Sequence, residues 1–314
     1  MTAVRIEELR KVFGTFVALD GLSLSVNEGV VFGFLGPNGA GKTTTIRILT
    51  SLAHASSGHA WVLGKEVATN GHAIAQQIGY LPEEPAFYPW MNPGEFLDYI
   101  GRIFGVSAAE RSARVKELLT LTGLEEAAKR RIGGFSRGMR QRLGLAQALF
   151  NHPQVLFLDE PASALDPAGR KEVLDFIEQL RGQCTVFMST HILADVDRVC
   201  DTVGIINRGK LVTAAPREAL LAQYATPAFE VESDTQTAAG FVPWCEAIQR
   251  AAWVKSVSAD GLVARVIVSD VEVAKRELLA STTQAGLVLT RYEIVHPSLE
   301  DIFLRLVNQE EGQP

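Results

Sequence analysis

Residues 36–44 read Gly36-Pro37-Asn38-Gly39-Ala40-Gly41-Lys42-Thr43-Thr44, and this run is the strongest indication of the fold. It has the pattern G-x-x-x-x-G-K-[ST], in which glycines turn successive backbone N–H groups towards one phosphate. The apolar run at 30–35 before it predicts a buried parallel strand, and residues 43–49 after it predict a helix. In that setting Lys42 can reach terminal phosphates, and the Thr43 hydroxyl can ligate Mg²⁺. An ordinary glycine-rich turn is the alternative, but the flanking strand and helix favour a nucleotide site.

Length and charge limit the classes of protein to consider. A chain of 314 residues is long enough for two domains, and 47% hydrophobic residues allow sizeable cores. The formal net charge of −6 argues against nucleic acid as a partner, because a phosphate backbone favours a basic surface. Cys184, Cys200 and Cys245 show neither paired nor metal-binding spacing, so we expect reduced, packed thiols. No apolar run is long enough to span a bilayer and the first residues lack a signal-peptide core, so we expect any membrane role to be peripheral.

Two further predicted strands end in residues suited to phosphate chemistry. An apolar strand at 155–160 ends in Asp159 and Glu160, and a buried strand at 185–189 is followed by His191. Ligands of such sheets bind beyond the carboxyl ends of the strands. Asp159 is therefore placed to hold Mg²⁺ through water, and Glu160 to orient or deprotonate an attacking water. A surface turn and a structural histidine are the alternatives, but the phosphate loop favours a catalytic site with His191 at the terminal phosphate.

Phe13 and Ser136 are candidates for contacts with a nucleotide, but each also has an ordinary structural explanation. Phe13 lies between predicted antiparallel strands at 4–9 and 22–26, and it suits either stacking on a nucleotide base or simple packing. Ser136 is predicted to cap the N-terminus of a helix, where backbone N–H groups can bind an anion. Taken alone, an ordinary serine cap is the favoured interpretation of Ser136.

The segment 82–90 separates the second core strand from a helical region at about 92–150. Its three prolines exclude regular structure, and it is rich in aromatic residues and carboxylates. That composition suits a contact surface, with 84–90 as the candidate docking site, or packing under the helices that follow. Both interpretations stay open. Ser107 and Glu110 predict a capping box within the helical region.

Taken together, Val4 to Leu221 resemble the ATP-binding cassette (ABC) family of transporter ATPases. Five elements of that family occur in order: the phosphate loop, the loop around Glu83, the signature Phe135-Ser136-Arg137-Gly138-Met139, the acidic strand end, and His191. The run Ser163-Ala164-Leu165-Asp166 resembles the family's dimer-contact loop. The resemblance implies an α/β P-loop NTPase fold with a helical subdomain and an antiparallel β layer.

The resemblance also implies roles for these residues. In this family two cassettes dimerise head to tail, and each ATP lies between the phosphate loop of one copy and the signature helix of the other. ATP and Mg²⁺ are the implied cofactors. The implied ATP-binding residues are Phe13 and residues 36–44 of one copy, with Ser136 and Gly138 of the second. The implied metal-binding residues are Thr43, Glu83 and Asp159, and the implied catalytic residues are Lys42, Glu160 as general base, and His191.

Departures from the family pattern indicate which subfamily the chain resembles. Glu83 stands where the family usually has glutamine, which adds negative charge beside ATP. Phe135 replaces the leucine that begins the signature, and Arg137 and Met139 replace the commoner glycine and glutamine. Ser136 and Gly138, the two residues of the signature that face the anion, match the family pattern. This form resembles the subfamily that serves multidrug and other type-two exporters.

The sequence beyond residue 224 predicts a second domain. We place the domains at 1–224 and 225–314, with Ala225-Thr226-Pro227 as the link. Apolar patterning predicts a βαββαβ order, typical of a small α+β ferredoxin-like unit, followed by a last helix at 299–307. With its ending Pro297-Ser298-Leu299-Glu300-Asp301-Ile302-Phe303, this part resembles the C-terminal extension of drug-exporter ATPases. A dimerisation or regulatory role is a hypothesis.

These features predict the ATP-hydrolysing subunit of an exporter. The resemblance implies an integral membrane permease as a separate chain, a second ATPase subunit in a homodimer, and a place at the cytoplasmic face of the cell membrane. The alternatives are an importer ATPase with a regulatory C-terminal domain and a soluble ABC ATPase that acts on ribosomes or DNA. Ribosome-acting members usually carry two cassettes and DNA-repair members a long coiled-coil insertion, which makes the soluble alternative the poorer fit.

Overall fold

The computed structural model describes residues 1–163, 165–224, 228–295, 299–300, 302–303 and 306. The chain divides into two compact units, Met1–Arg217 and Glu218–Pro314. Three predictions fall wholly or partly on residues outside that description: the link at 225–227, Ala164 of the dimer-contact loop, and the last helix with the ending at 297–303. The domain boundary after residue 224 stays a prediction.

The strands of the first unit are β1 (Thr2–Phe13), β2 (Phe16–Asn27), β3 (Val31–Leu35), β4 (Ser57–Val62), β5 (Lys65–Glu66), β6 (Ile78–Leu81), β7 (Val155–Asp159), β8 (Thr185–Thr190), β9 (Thr202–Asn207) and β10 (Lys210–Pro216). Its helices are α1 (Lys42–Leu49), α2 (Val67–Ala75), α3 (Pro93–Ile103), α4 (Ala108–Leu121), α5 (Arg137–Ala148), α6 (Pro167–Gln179) and α7 (Leu193–Val199), and α8 (Arg217–Gln223) begins at the boundary between the units. No helix within the described residues has both the length and the apolar character needed to cross a membrane.

A six-stranded sheet carries the strand ends that form the site. Its order is β10-β9-β3-β8-β7-β6, in which β10 pairs antiparallel with β9 and the other neighbours are parallel. Parallel strands present their carboxyl ends at one edge, so the loop after β3, the acids ending β7 and His191 after β8 meet there. Strands β3 and β7 are buried at every position, which explains their continuous apolar sequences.

An antiparallel layer of order β2-β1-β4-β5 shares a core with this sheet. One cluster of buried residues joins Val4 and Ile6 of β1 to Phe32 of β3 and Ile46 of α1. The ring of Phe187, on β8, lies 5.0 Å from that of Phe32. Burial of each such side chain stabilises the fold by about 1.5–3 kcal/mol. This core therefore holds α1, and with it the phosphate loop, against both layers.

Strands β1 and β2 are longer than the sequence predicts. Patterning predicts strands at 4–9 and 22–26, whereas the two strands pair along most of their length, up to a tight turn where Phe13 lies opposite Phe16. Register shifts in the middle of the pair explain the difference. Each shift breaks the alternation of apolar and polar residues by which a strand is predicted.

Helices α3, α4 and α5 lie within the region 92–150. Ser107 and Glu110 form the predicted capping box at the start of α4. Asn92 forms a second capping box at the start of α3, which the patterning did not predict. Ser136 caps α5 as predicted, and its Oγ accepts a hydrogen bond from a backbone N–H of the first turn at 3.2 Å.

The second unit contains β11 (Ala228–Ser233), α9 (Ala238–Ile248), β12 (Val254–Asp260), β13 (Val263–Val268), α10 (Val271–Gln284) and β14 (Leu289–Val295). They follow the predicted βαββαβ order. The sheet has the order β12-β13-β11-β14, and all neighbouring strands in it are antiparallel. This is the ferredoxin-like topology, so the predicted fold class is confirmed. Phe229, Phe241 and Trp244 belong to the core between the sheet and its helices.

Candidate nucleotide site

The phosphate loop joins the end of β3 to the start of α1. Gly39 and Gly41 have φ of 80° and 110°, in the left-handed region that other residues rarely adopt. A Cβ at Gly41 would also lie 2.7 Å from Leu19 Cδ2. A Cβ at Gly36 would lie 2.4 Å from the carbonyl oxygen of Ile206. Glycine is therefore needed here for close packing as well as for backbone conformation.

The ammonium group of Lys42 is anchored inside the loop. Its Nζ donates to the carbonyl oxygens of Gly36 at 2.7 Å and Pro37 at 3.2 Å. It also lies 3.3 Å from Glu160 Oε1, and both side chains are almost completely buried. A buried charge is tolerated when it is paired and hydrogen-bonded. The cation therefore bridges the loop and the acid that follows β7.

Asp159, at the end of β7, is held by two hydroxyl groups. Its Oδ1 accepts hydrogen bonds from Thr43 Oγ1 at 3.1 Å and from Ser189 Oγ at 2.6 Å. Burial raises the pKa of this carboxyl above its usual value, and the two hydrogen bonds oppose that rise. The contacts follow from the strand order, because β8 lies between β3 and β7 and pairs Ser189 with Asp159.

Glu160 has an unusual backbone conformation and two charged or polar neighbours. Its φ of 50° costs a non-glycine residue on the order of 1 kcal/mol. Its N–H is shared between the carbonyl and hydroxyl oxygens of Ser189, at 3.2 and 3.1 Å. Its Oε2 lies 2.9 Å from His191 Nδ1, while Oε1 faces Lys42. Both carboxylate oxygens of Glu160 are therefore held in place.

A cavity of about 450 Å³ opens over the phosphate loop. It is lined by Phe16, Ala18, Asn38, Gly39, Gly41, Lys42, Thr43, Thr44, Glu83, Glu160 and His191. The structure thus brings the loop together with Glu83, Glu160 and His191. Asp159 is not among the lining residues, but its carboxylate accepts a hydrogen bond from Thr43, which is. The remaining loop residues, Gly36, Pro37 and Ala40, are outside the lining.

Phe13 is not part of this lining, whereas Phe16 is. The two rings are exposed, and they lie opposite each other across the β1–β2 turn. Lys11 Nζ lies over the Phe13 ring, 4.7 Å from its centroid. Stacking of a base on Phe13 stays a prediction, and Phe16 is a lining residue that the sequence analysis missed. The signal for Phe16 was its position across a two-residue turn that contains Gly14.

Ser136 and Gly138 lie at a second cavity, of about 410 Å³. Arg137, Leu165 and Asp166 are also among its lining residues. Within the described part of the chain, this cavity shares no lining residue with the cavity over the phosphate loop. One copy of the chain therefore does not bring the signature to its own phosphate loop.

The side-chain oxygen atoms near Asp159 are suitable ligands for a hard cation such as Mg²⁺. Thr43 Oγ1 is already in contact with the Asp159 carboxylate, and Glu83 lines the same cavity. Mg²⁺ in nucleotide sites usually binds one or two carboxylates together with phosphate oxygens. A cluster of three or more His, Cys, Asp or Glu side chains suited to a metal ion is absent from the described residues. The three predicted ligands thus fit a Mg²⁺ that is shared with phosphates, and they stay a prediction.

The combination of phosphate loop, parallel sheet and acidic strand end defines a P-loop nucleotide-binding protein. A family model described as "ABC transporter" matches residues 19–163, and one described as "ATP-binding protein DrrA1-3-like, C-terminal domain" matches residues 216–307. The chain is 40% identical to the uncharacterized ABC transporter ATP-binding protein YxlF of Bacillus subtilis (strain 168), over 96% of this chain and 99% of that protein. The chain therefore belongs to the family of ABC transporter ATP-binding proteins, which confirms the resemblance.

Relatives with more specific descriptions also match over nearly the whole chain. The daunorubicin resistance ATP-binding protein DrrA3 of Streptomyces coeruleorubidus is 32% identical, over 98% of this chain and 97% of that protein. A Nod factor export ATP-binding protein I of Burkholderia lata is 34% identical over the same shares. A solved structure described as the ATP binding subunit of an ABC transporter is 27% identical, with a TM-score of 0.65, and covers 71% of this chain and 93% of its own. Both the family and the exporter-type C-terminal extension agree with the sequence analysis.

Proposed function

We propose that this chain hydrolyses ATP with Mg²⁺ as cofactor, and that hydrolysis powers export by a separate integral membrane subunit. The observation that carries the proposal is the placement of Glu160 beside the phosphate loop. One carboxylate oxygen is 3.3 Å from Lys42 Nζ, and the other is 2.9 Å from His191 Nδ1. A cation for the phosphates and a carboxylate that can act as a base are groups that serve phosphoryl transfer to water, and the imidazole of His191 holds that carboxylate.

Each group has a task in the proposed reaction. Lys42 exchanges its carbonyl partners for phosphate oxygens, which attract an ammonium more strongly. Glu160 accepts a proton from the attacking water, and His191 links that carboxylate to the terminal phosphate. The N-terminus of α1 and the loop N–H groups stabilise the negative charge. Bound Mg²⁺ would neutralise charge between the outer phosphates, with Thr43, Glu83 and Asp159 supplying protein oxygens.

We further propose that two copies form a head-to-tail homodimer. The loop cavity and the signature cavity are separate in one copy, which supports an arrangement in which a second copy supplies the signature to each ATP. The nearest atoms to a Cβ built at Gly138 are 3.9 Å away, so packing within the chain does not require glycine there. A phosphate approaching the N-terminus of α5 from another copy would require it, because the backbone must come close.

An exposed aromatic surface is the proposed docking site for the membrane subunit. Tyr88 and Trp90 are exposed, with ring centroids 5.2 Å apart, and Tyr99 of α3 lies beside Tyr88. Phe87 instead packs edge-on against Phe96, so the predicted packing under the helices holds for this side chain, while docking stays a prediction. Exposed clustered aromatics suit a protein interface. The similarity to proteins of daunorubicin resistance and Nod factor export supports export, and an ATPase that powers export would act at the cytoplasmic face of the membrane.

The experiment is a mild-detergent pull-down of the tagged chain from its native membranes, combined with an ATPase assay. We expect an integral membrane protein in near-equal amount, and we expect Trp90→Ala to lose it while hydrolysis by the isolated chain is retained. Val242→Ala, a change at a similarly exposed residue of the second unit, is the control. Recovery of ribosomal, DNA-associated or other soluble partners alone would overturn the transport proposal and leave hydrolysis standing.

A further inference from the structure

The hydroxyl group of Ser189 makes hydrogen bonds in both directions. Ser189 Oγ donates to Asp159 Oδ1 at 2.6 Å, and it accepts from the N–H of Glu160 at 3.1 Å. The side chain is completely buried at the end of β8, in the strand between the phosphate-loop strand and the acidic strand. One atom thus contacts both residues of the acidic pair.

A serine hydroxyl suits this position because it can donate and accept at the same time. Alanine can do neither, and a cysteine thiol does both weakly. The hydroxyl shares the N–H of Glu160 with the carbonyl oxygen of Ser189, and the two contacts together support the left-handed backbone of Glu160, which persists only when surrounding contacts determine it. The Ser189 hydroxyl also donates a hydrogen bond to Oδ1 of Asp159, which accepts a second hydrogen bond from Thr43.

We propose that Ser189 is a positioning residue for hydrolysis, which orients the Asp159 carboxylate towards Mg²⁺ and holds Glu160 in line with the attacking water. The proposal rests on the proposed function. The Thr43 hydroxyl would serve the metal ion when Mg²⁺ is bound, and Ser189 would then be the hydrogen-bond donor that keeps Oδ1 of Asp159 in place. Ser189 is not among the residues that line the cavity over the phosphate loop, so its proposed effect passes through Asp159 and Glu160.

The test compares full-length wild type with Ser189→Ala, Ser189→Cys and Thr185→Val. Thr185 is the matched control, since it carries a buried hydroxyl at the opposite end of β8, where Oγ1 accepts from the Gly29 N–H at 3.0 Å. Calorimetry measures ATP binding in EDTA and in Mg²⁺, and steady-state assays measure kcat, KM and the Mg²⁺ concentration at half-maximal rate. Thermal unfolding checks that each variant is folded.

We expect Ser189→Ala to bind ATP in EDTA as wild type does. Its Mg²⁺-dependent gain in affinity should fall about tenfold and its kcat about 10- to 100-fold, the loss that follows from removing hydrogen bonds to a charged group. Ser189→Cys should lie between wild type and Ser189→Ala, and it serves as the second variant if the alanine form unfolds. Thr185→Val should match wild type in Mg²⁺ requirement and in kcat.

Two results would overturn the inference while leaving ATP hydrolysis intact. One is an Mg²⁺ requirement and kcat of Ser189→Ala equal to those of wild type. The other is an equal loss in Thr185→Val, which would show a general effect of removing a buried hydroxyl from β8. A wild-type chain that neither binds nor hydrolyses ATP would instead overturn the proposed function, and the inference with it.

Discussion

Lys42 Nζ lies 3.3 Å from Glu160 Oε1, and both side chains are more than nine-tenths buried. The two residues come from the loop after β3 and the end of β7, which are separated in the sheet by β8. Each charge is compensated by the other, and His191 holds the second oxygen of the carboxylate. The proposed base and the proposed phosphate-binding cation therefore form one buried unit, and changing one affects the other.

Glu160→Gln should keep ATP binding and lose hydrolysis. The amide cannot accept the proton of the attacking water, and a positioned general base contributes about 10²–10⁴-fold to the rate. Single-turnover assays and equilibrium binding separate the two effects, and size-exclusion chromatography with ATP should show more dimer. Glu178→Gln, on the exposed face of α6, is the control. Rapid hydrolysis by Glu160→Gln would show that another group is the base.

Lys42→Ala should lower both ATP affinity and stability. Removing one partner of a buried ion pair leaves the other charge uncompensated, which costs about 3 kcal/mol. The double variant Lys42→Ala/Glu160→Gln removes both charges, so it should regain much of the lost stability without regaining ATP binding. Urea unfolding of the four proteins measures the coupling. Additive losses would mean that the pair is not energetically linked.

Gly41→Ala should destabilise the chain more than Gly39→Ala. Both residues have positive φ, so each substitution carries a backbone cost of about 1–2 kcal/mol. Only at Gly41 would the new Cβ also meet Leu19 Cδ2 at 2.7 Å, because nothing lies within 4 Å of a Cβ at Gly39. Overpacking adds about 1–3 kcal/mol. Equal urea midpoints for the two variants would contradict the packing argument.

Lys42→Ala and Ser136→Glu should complement each other if two copies share each site. The first variant lacks a working phosphate loop, and the second places a negative charge at the start of α5, where a phosphate would approach. A mixed dimer contains one site with both an intact loop and an intact signature. Mixing the two inactive proteins should therefore restore ATPase activity. If the mixture is as inactive as its components, the head-to-tail arrangement is wrong.

The cysteine thiols should react slowly in the folded chain. Burial raises the pKa of Cys184 to about 11 and that of Cys200 further, and the reactive form is the thiolate. Maleimide at pH 8 should label the native protein slowly and the urea-unfolded protein quickly. Because the unfolded chain loses these protons first, their contribution to stability is full below about pH 8.5 and declines as pH rises towards 11. Cys184→Ala should weaken that decline in urea-unfolding measurements.

Much of the first unit and its site could be predicted from short stretches of sequence. The loop at 36–44, the acidic strand end and the serine cap of α5 depend on neighbours within a few residues, so their patterns are visible in sequence. The lengths of β1 and β2 could not be predicted, since register shifts interrupt their alternation. Phe16 was missed although its position opposite Phe13 across a short turn was visible in the sequence, because which of the two rings lines the cavity depends on how the hairpin lies over the loop.

The nucleotide-binding class, the family and the βαββαβ order of the second unit could be identified from sequence alone, because glycine spacing and apolar periodicity are local properties. The tertiary structure alone decided that Asp159 and Glu160 share the hydroxyl of Ser189, about thirty residues away. The tertiary structure also places the signature at a cavity that is separate from the cavity over the phosphate loop. Both depend on strand order and helix placement, which long-range packing selects and short-range sequence patterns leave open.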